Sequence, residues 1–326
     1  MEASQVISQR DQLDCHVLHS FLSCNGASNC ESLKELLTKR STEDLNRVVE
    51  AYRATYNQDI LHQLCNIQRR NNFLSLVHLQ MMEPRERDAK LLRDALHGPA
   101  LGSDILIEVF CTRSSSQLQC IKQAYRSQYN RNIEQDISLK AHSTLKEVLT
   151  ALSSINGAEG STVDVSMGMC DAKILYEAIE SGASTDQRTI LSVLTRRNIE
   201  QLRTILHCYE QLYGHHISKF LKQKRHGEFG RTLSSVTRCI SYPEKHYAKQ
   251  LKDMWVKRRL ATEPATDLMI RVVVAKSGVN IGEIRSAFSK KSGGTALETA
   301  VRTLMSDPDY HTRMVAEVFL KIVKCS

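Results

Sequence analysis

Several residue types that shape common folds are scarce in this chain of 326 residues. Proline occurs only 5 times and glycine only 14 times, both below their usual shares of roughly 5% and 7%, which disfavours a turn-rich β-sandwich or barrel. No apolar run is long enough to cross a bilayer, and residues 1–5 have neither the basic region nor the apolar core of a signal peptide. We therefore expect a mostly helical, cytoplasmic protein.

Paired metal or disulfide motifs and a phosphate-binding loop are also missing. The 10 cysteines include no Cys-x-x-Cys pair, which predicts free thiols and no zinc site. The stretch 278–283 lacks the lysine and the spacing of a phosphate-binding loop. His215 and His216 are adjacent, so on a helix they would diverge by about 100°. We expect neither an enzyme nor a nucleic-acid partner.

What the sequence does contain is self-similarity at a long period. Four basic residues act as anchors, and the residue after each is a good helix N-cap: Ser41, Ser114, Asn198 and Ser277. Apolar or aromatic side chains recur at the fifth, eighth and twelfth positions after each anchor. These offsets differ by three and four, so the side chains should share one buried helical face. The anchors are Arg40, Arg113, Arg197 and Lys276, and the twelve positions are Leu45, Val48, Tyr52, Leu118, Ile121, Tyr125, Leu202, Ile205, Tyr209, Ile281, Ile284 and Phe288.

The repeat predicts the domain organisation. Another apolar helix precedes each anchor, and a loop of small residues precedes that helix, so each copy has room for about five short helices. A turn-rich linker after the second copy is expected to divide the chain into two halves. The predicted copies span 14–83, 86–154, 170–241 and 245–324, and the linker spans 155–169.

Several short sequence segments, in the order in which they occur, resemble segments of a known protein family. They include Pro84-Arg85-Glu86-Arg87-Asp88-Ala89, Cys111-Thr112-Arg113-Ser114-Ser115, Asp171-Ala172-Lys173-Ile174-Leu175 and Tyr242-Pro243-Glu244-Lys245. From about Asp14 to Lys324 the chain resembles an annexin, most closely the plant branch. The resemblance implies an all-α, slightly curved array of four five-helix repeats that docks on acidic phospholipid membranes through calcium.

The calcium sites implied by the resemblance are degraded. In the family a Gly-x-Gly-Thr-Asp/Asn loop offers carbonyl oxygens, and an acidic residue about forty positions later closes the site. No copy keeps both glycines, and no aligned closing position is acidic: these are Ile67, Lys140, Lys224 and Thr303, or Gln68 and Met305 after realignment of the first and fourth copies. Only the third loop, with Gly182, Thr185 and Asp186, keeps enough to bind calcium weakly, unless Thr185 and Asp186 merely cap a helix.

Three further pairs of residues are candidate functional residues by alignment with the family, and each pair has a simpler explanation without a function. Lys140 and Lys224 either meet lipid phosphate directly or are solvated surface lysines. Cys111 and Cys239 match plant-annexin cysteines that the resemblance associates with redox sensitivity, or they are small core residues. Asp88 and Arg113 match a charged pair of the family's central polar channel, or they form a structural ion pair.

The sequence thus favours an annexin-type peripheral membrane protein with weakened calcium dependence. Its partner is an acidic phospholipid surface, and the formal charge of +8 suits that partner. The alternative is a cytosolic scaffold that uses the same array for protein partners and has no membrane role.

Overall fold

The computed structural model describes residues 8–24, 30–67, 71–98, 102–141, 143–153, 163–181, 186–223, 226–256, 263–275, 280–304 and 310–325. Within these residues the regular structure is helical throughout and contains no strand, which confirms the all-α class. The twenty α-helices of these ranges fall into four sets of five. None of them has the length and apolar composition needed to span a bilayer.

Each copy follows the same order of helices. The first contains α1 (Gln9–Ser23), α2 (Cys30–Lys39), α3 (Thr42–Tyr56), α4 (Ile60–Asn66) and α5 (Asn72–Met81). The second contains α6 (Pro84–His97), α7 (Ser103–Thr112), α8 (Ser115–Tyr129), α9 (Ile133–Lys140) and α10 (Ser143–Ser153). The third contains α11 (Val165–Tyr176), α12 (Gln187–Arg196), α13 (Ile199–Tyr213), α14 (Ser218–Leu221) and α15 (Gly227–Ser241), and α11 continues as a π-helical turn over Glu177–Ser181. The fourth contains α16 (Pro243–Val256), α17 (Glu263–Val274), α18 (Ile281–Lys291), α19 (Leu297–Leu304) and α20 (Tyr310–Cys325).

The third helix of each copy carries the predicted apolar register. All twelve side chains lie on α3, α8, α13 and α18, and none is more than 4% exposed. The prediction of one buried face in four equivalent helices is confirmed. Burial of large apolar side chains on this face supplies the hydrophobic stabilisation that short helices lack by themselves.

In three copies the third helix is capped by the residue that the sequence predicts. The side chains of Ser41, Ser114 and Asn198 each accept a hydrogen bond from the backbone N–H three residues later, at 3.1, 3.3 and 2.8 Å. In the fourth copy the predicted start after Ser277 is wrong, because α18 begins at Ile281 and Asn280 caps it. Ser277 itself lies outside the described residues.

The chain forms two compact units, which differ from the two halves expected from the linker. One unit contains residues 84–246, and the other combines residues 1–83 with 247–326. Within the first unit α10 packs against α12 and α15, so the second and third copies share a core. The expected division at 155–169 is therefore wrong. α11 begins at Val165, and the last residues of the predicted linker are helical.

In the unit that combines the two chain ends, α20 holds the copies together. It packs against α2 and α5 of the first copy and against α17 of the fourth. Polar contacts join the same elements: the Lys34 ammonium pairs with Glu317, and the Asn72 amide donates to Thr312 Oγ1 at 2.9 Å.

Candidate functional site

The end of α9 presents a basic and an apolar side chain to solvent. Lys140, the last residue of this helix, is exposed and pairs with no carboxylate among the described residues. Its neighbour Leu139 is 70% exposed. The alignment identified Lys140 but not Leu139. From the sequence alone, an apolar residue on a short helix is expected to be buried, and only the structure shows that its side chain faces solvent.

A buried carboxylate fixes the position of α9. Asp136 is completely buried and accepts hydrogen bonds from Tyr125 Oη at 2.6 Å, Arg131 Nε at 2.6 Å and Arg93 Nη1 at 3.0 Å. Burial opposes ionisation, but the hydrogen bonds from Tyr125 and Arg131 hold the pKa of Asp136 below its usual value. The helix that carries Lys140 is therefore tied to α6 and α8 by an ionised side chain.

Three of the aligned closing positions lie in the described part of the chain, and a calcium ion would need about six to eight oxygen ligands in all. Lys140 carries an ammonium group, and Ile67, which follows the last residue of α4, offers no side-chain oxygen. The Thr303 hydroxyl donates to the Ala300 carbonyl at 2.8 Å. In the described part of the chain, no three His, Cys, Asp or Glu side chains lie close enough to hold a metal ion. Lys224, Gln68 and Met305 lie outside that part.

Asp186, from the loop with most of the calcium motif, caps α12. One carboxylate oxygen accepts from the Thr189 N–H at 3.1 Å and the other from the Thr189 hydroxyl at 2.7 Å. These two hydrogen bonds lower the pKa of Asp186. Gly182 and Thr185 lie outside the described residues. The geometry that is described is that of a helix cap, which is the plainer of the two expectations.

Asp88 and Arg113 form a buried ion pair that recurs in two other copies. Arg113 Nε donates to Asp88 Oδ2 at 2.6 Å, and Arg197 Nε donates to Asp171 Oδ2 at the same distance. In the first copy Arg40 pairs with Asp14. Each pair joins the first helix of its copy to the junction between the second and third helices.

The fourth copy departs from this pattern. Its segment Tyr247-Ala248-Lys249 aligns with Asp88-Ala89-Lys90 of the second copy, so a tyrosine replaces the aspartate. The side chain of Tyr247 is buried. A pair that recurs in three copies favours a structural role for Asp88 and Arg113. The recurring Asp-Ala-Lys of the second and third copies was the sequence signal for it.

Cys111 and Cys239 are brought together from α7 and α15. Their side chains are 0% and 1% exposed. A hydrogen bond between the two thiols and burial raise the pKa of Cys239. Because the thiolate is the reactive form and needs access to solvent, this environment favours two inert core thiols.

Known proteins share this architecture. The annexin family model matches residues 87–152 and 170–236. Annexin Gh1 of Gossypium hirsutum is 30% identical over 294 residues, which cover 90% of this chain and 91% of that protein. Annexin A13 of Homo sapiens is 29% identical over 270 residues, covering 82% and 84% of the two chains. The solved structure of annexin III matches with a TM-score of 0.79 at 24% identity, covering 99% of this chain and 96% of that one.

Proposed function

This chain belongs to the annexin family, and we propose that it binds acidic phospholipid surfaces through fixed basic side chains, with calcium contributing little. Annexins are calcium-dependent phospholipid-binding proteins. Relatives in this family are generally membrane-binding proteins and not enzymes, so we propose no catalytic residue.

The observation that carries the proposal is the exposed Lys140 at an aligned closing position. An ammonium group there repels a calcium ion but attracts lipid phosphate, and each basic side chain near an acidic leaflet contributes about 1 kcal/mol. The exposed Leu139 beside it adds apolar area that leaves water when the end of α9 reaches the headgroup region. Lys224 is the corresponding residue of the third copy and is proposed to act in the same way.

Sedimentation with phosphatidylserine vesicles tests the proposal. We expect the wild-type protein to pellet with them in chelator, and the bound fraction to fall as salt rises because exposed charges are screened. Lys140→Glu should weaken this binding and Lys140→Glu with Lys224→Glu should weaken it further. Arg126→Glu is the matched control: Arg126 is exposed on α8, lies at no closing position, and its replacement changes the net charge equally.

Two outcomes would contradict the proposal. If the wild-type protein pellets only when calcium is added, a calcium site dominates. If the Lys140 and Lys224 variants pellet like the wild type in chelator, these lysines are solvated surface residues. Absence of binding under all conditions would favour the protein-interaction scaffold.

A further inference from the structure

A second basic site is built from residues that the calcium motif does not include. A pocket of about 510 Å³ in the unit 84–246 is lined by Lys219, Lys222, Arg238 and Lys245. Among the described residues that line it, Glu210 is the only carboxylate. The lining therefore carries a clear excess of positive charge.

Four elements meet at this pocket. Glu210 comes from α13, Lys219 from α14, Arg238 from α15 and Lys245 from α16. The His216 ring fixes the junction, because its Nε2 lies 3.1 Å from Ser241 Oγ. Its Nδ1 accepts from the Ser218 N–H at 3.2 Å.

The imidazole of His216 adds no charge to the pocket at neutral pH. Burial lowers the pKa of His216 to about 4, and the nearby charges of Arg238, Lys245 and Lys222 lower it as well, against the opposing effect of Glu210. His216 is therefore neutral at pH 7. The positive charge of the pocket comes from the three lysines and the arginine.

Part of this positive charge has no carboxylate partner among the described residues. The Tyr242 hydroxyl already donates to Glu210. The Lys245 ammonium lies 3.6 Å from the centroid of the Tyr242 ring. Neither Lys219 nor Arg238 forms an ion pair with a carboxylate of the described residues. Converging cations that lack carboxylates repel one another, and a multivalent anion removes that repulsion.

We propose that this pocket binds a small molecule carrying several phosphate groups on a non-aromatic scaffold, of the inositol polyphosphate class. Ammonium and guanidinium groups are well suited to phosphate oxygens. The volume falls in the range of roughly 300–1,000 Å³ typical of small-molecule sites, which is far more than one phosphate fills. A ring face of Tyr242 is already covered by Lys245, so stacking of a nucleobase there is disfavoured. The same chemistry occurs in a soluble inositol phosphate and in a phosphoinositide headgroup.

Titration calorimetry with inositol 1,4,5-trisphosphate tests the site in the full chain and in the absence of membranes. Arg238→Gln and Lys245→Gln should each weaken binding about tenfold, because each removes a charged hydrogen-bond donor to phosphate. The control Lys173→Gln removes an exposed charge from α11 in the same unit and should change affinity by less than about twofold. Lys245 is exposed, so its replacement leaves the fold intact, and circular dichroism checks both variants.

A second arm separates the two sources of the ligand. Vesicles containing phosphatidylinositol 4,5-bisphosphate are compared with phosphatidylserine vesicles of equal surface charge. Selective loss of binding to the phosphoinositide vesicles in Arg238→Gln identifies a lipid headgroup, whereas loss of trisphosphate binding alone identifies a soluble ligand. The inference is overturned if the trisphosphate binds no more tightly than inorganic sulfate, or if both pocket variants bind it like the wild type. Because the first arm contains no membrane, its result is independent of the lipid-binding proposal above.

Discussion

The aromatic residue at the twelfth position after each anchor differs between the copies in whether it carries a hydroxyl group. The tyrosines at the twelfth position after the anchor are buried, and their hydroxyls donate to Gln63, Asp136 and Glu180 in the first three copies. The fourth copy has Phe288 at this position, with no hydroxyl to satisfy. A buried hydroxyl without a partner is costly, and each of the three tyrosines has an acceptor for its hydroxyl.

Replacement of Asp136 should destabilise the protein strongly. Asp136→Asn removes the charge that three donors share, and we expect a loss of about 2–4 kcal/mol in the free energy of unfolding at pH 7. The measurement is urea denaturation. Asp94→Asn is the control, because the Asp94 side chain is 60% exposed and pairs only with Lys90 among the described residues. It should cost less than about 1 kcal/mol.

Acid provides an independent check on Asp136. Its folded-state pKa lies below that of the unfolded chain, so its contribution is present above about pH 4 and is lost as the pH falls through the folded value. The difference in stability between wild type and Asp136→Asn should therefore shrink in acid. A constant difference from pH 7 to pH 3 would show that the charge of Asp136 is not what stabilises α9.

The thiols should fall into two reactivity classes. Cys24, Cys65, Cys120 and Cys170 are exposed and should react quickly with iodoacetamide in the native protein. Cys111 and Cys239 should react only after unfolding, since both side chains are buried and the raised pKa of Cys239 disfavours its thiolate form. Peptide mass spectrometry after timed labelling measures both classes. Rapid native labelling of Cys111 or Cys239 would instead support the redox role implied by the resemblance.

Among the secondary-structure elements, the third helix of each copy is predicted well because the sequence features that indicate it are local. Capping residues and a three-four spacing act within a few turns. The error at Ser277 arose because a second good cap, Asn280, stands three residues later. The basic pocket was missed for the opposite reason, since Glu210, Lys219, Arg238 and Lys245 belong to four helices and converge only in the fold.

The cap of α8 provides a test at this scale. Ser114 and Gln117 form a reciprocal capping box, in which each side chain bonds the other's backbone N–H. Ser114→Ala should lower the free energy of unfolding by about 1 kcal/mol. Ser127→Ala, at an exposed position inside the same helix, should have no such cost because alanine favours helices. Equal effects of the two replacements in urea denaturation would contradict a stabilising cap.

For the whole molecule, the order of copies along the chain does not reveal how they pair. The linker was the strongest local boundary signal in the sequence, yet it lies within the unit 84–246. Pairing of the first and fourth copies depends on α2, α5, α17 and α20, and no local sequence signal says which copies these helices join. Local composition therefore predicts the repeats but not their partners.

The two units should differ in their ability to fold alone. The fragment 84–246 contains its own core and should unfold cooperatively, as a domain of its size does. The fragment 1–83 lacks α17 and α20 and should remain largely unfolded until 247–326 is added. Circular dichroism of the fragments, separate and mixed, measures this. Cooperative unfolding of 1–83 alone would show that the pairing of chain ends is not required.

The pairing of the first copy with α20 also sets an order of events during synthesis. Glu317, the partner of Lys34, is separated from it by most of the chain, so the ribosome releases the first copy long before its packing surface exists. The unit 84–246 can complete its core while translation continues. We expect the apolar faces of α2 and α5 to stay uncovered during that interval, and uncovered apolar surface makes a nascent chain prone to aggregation.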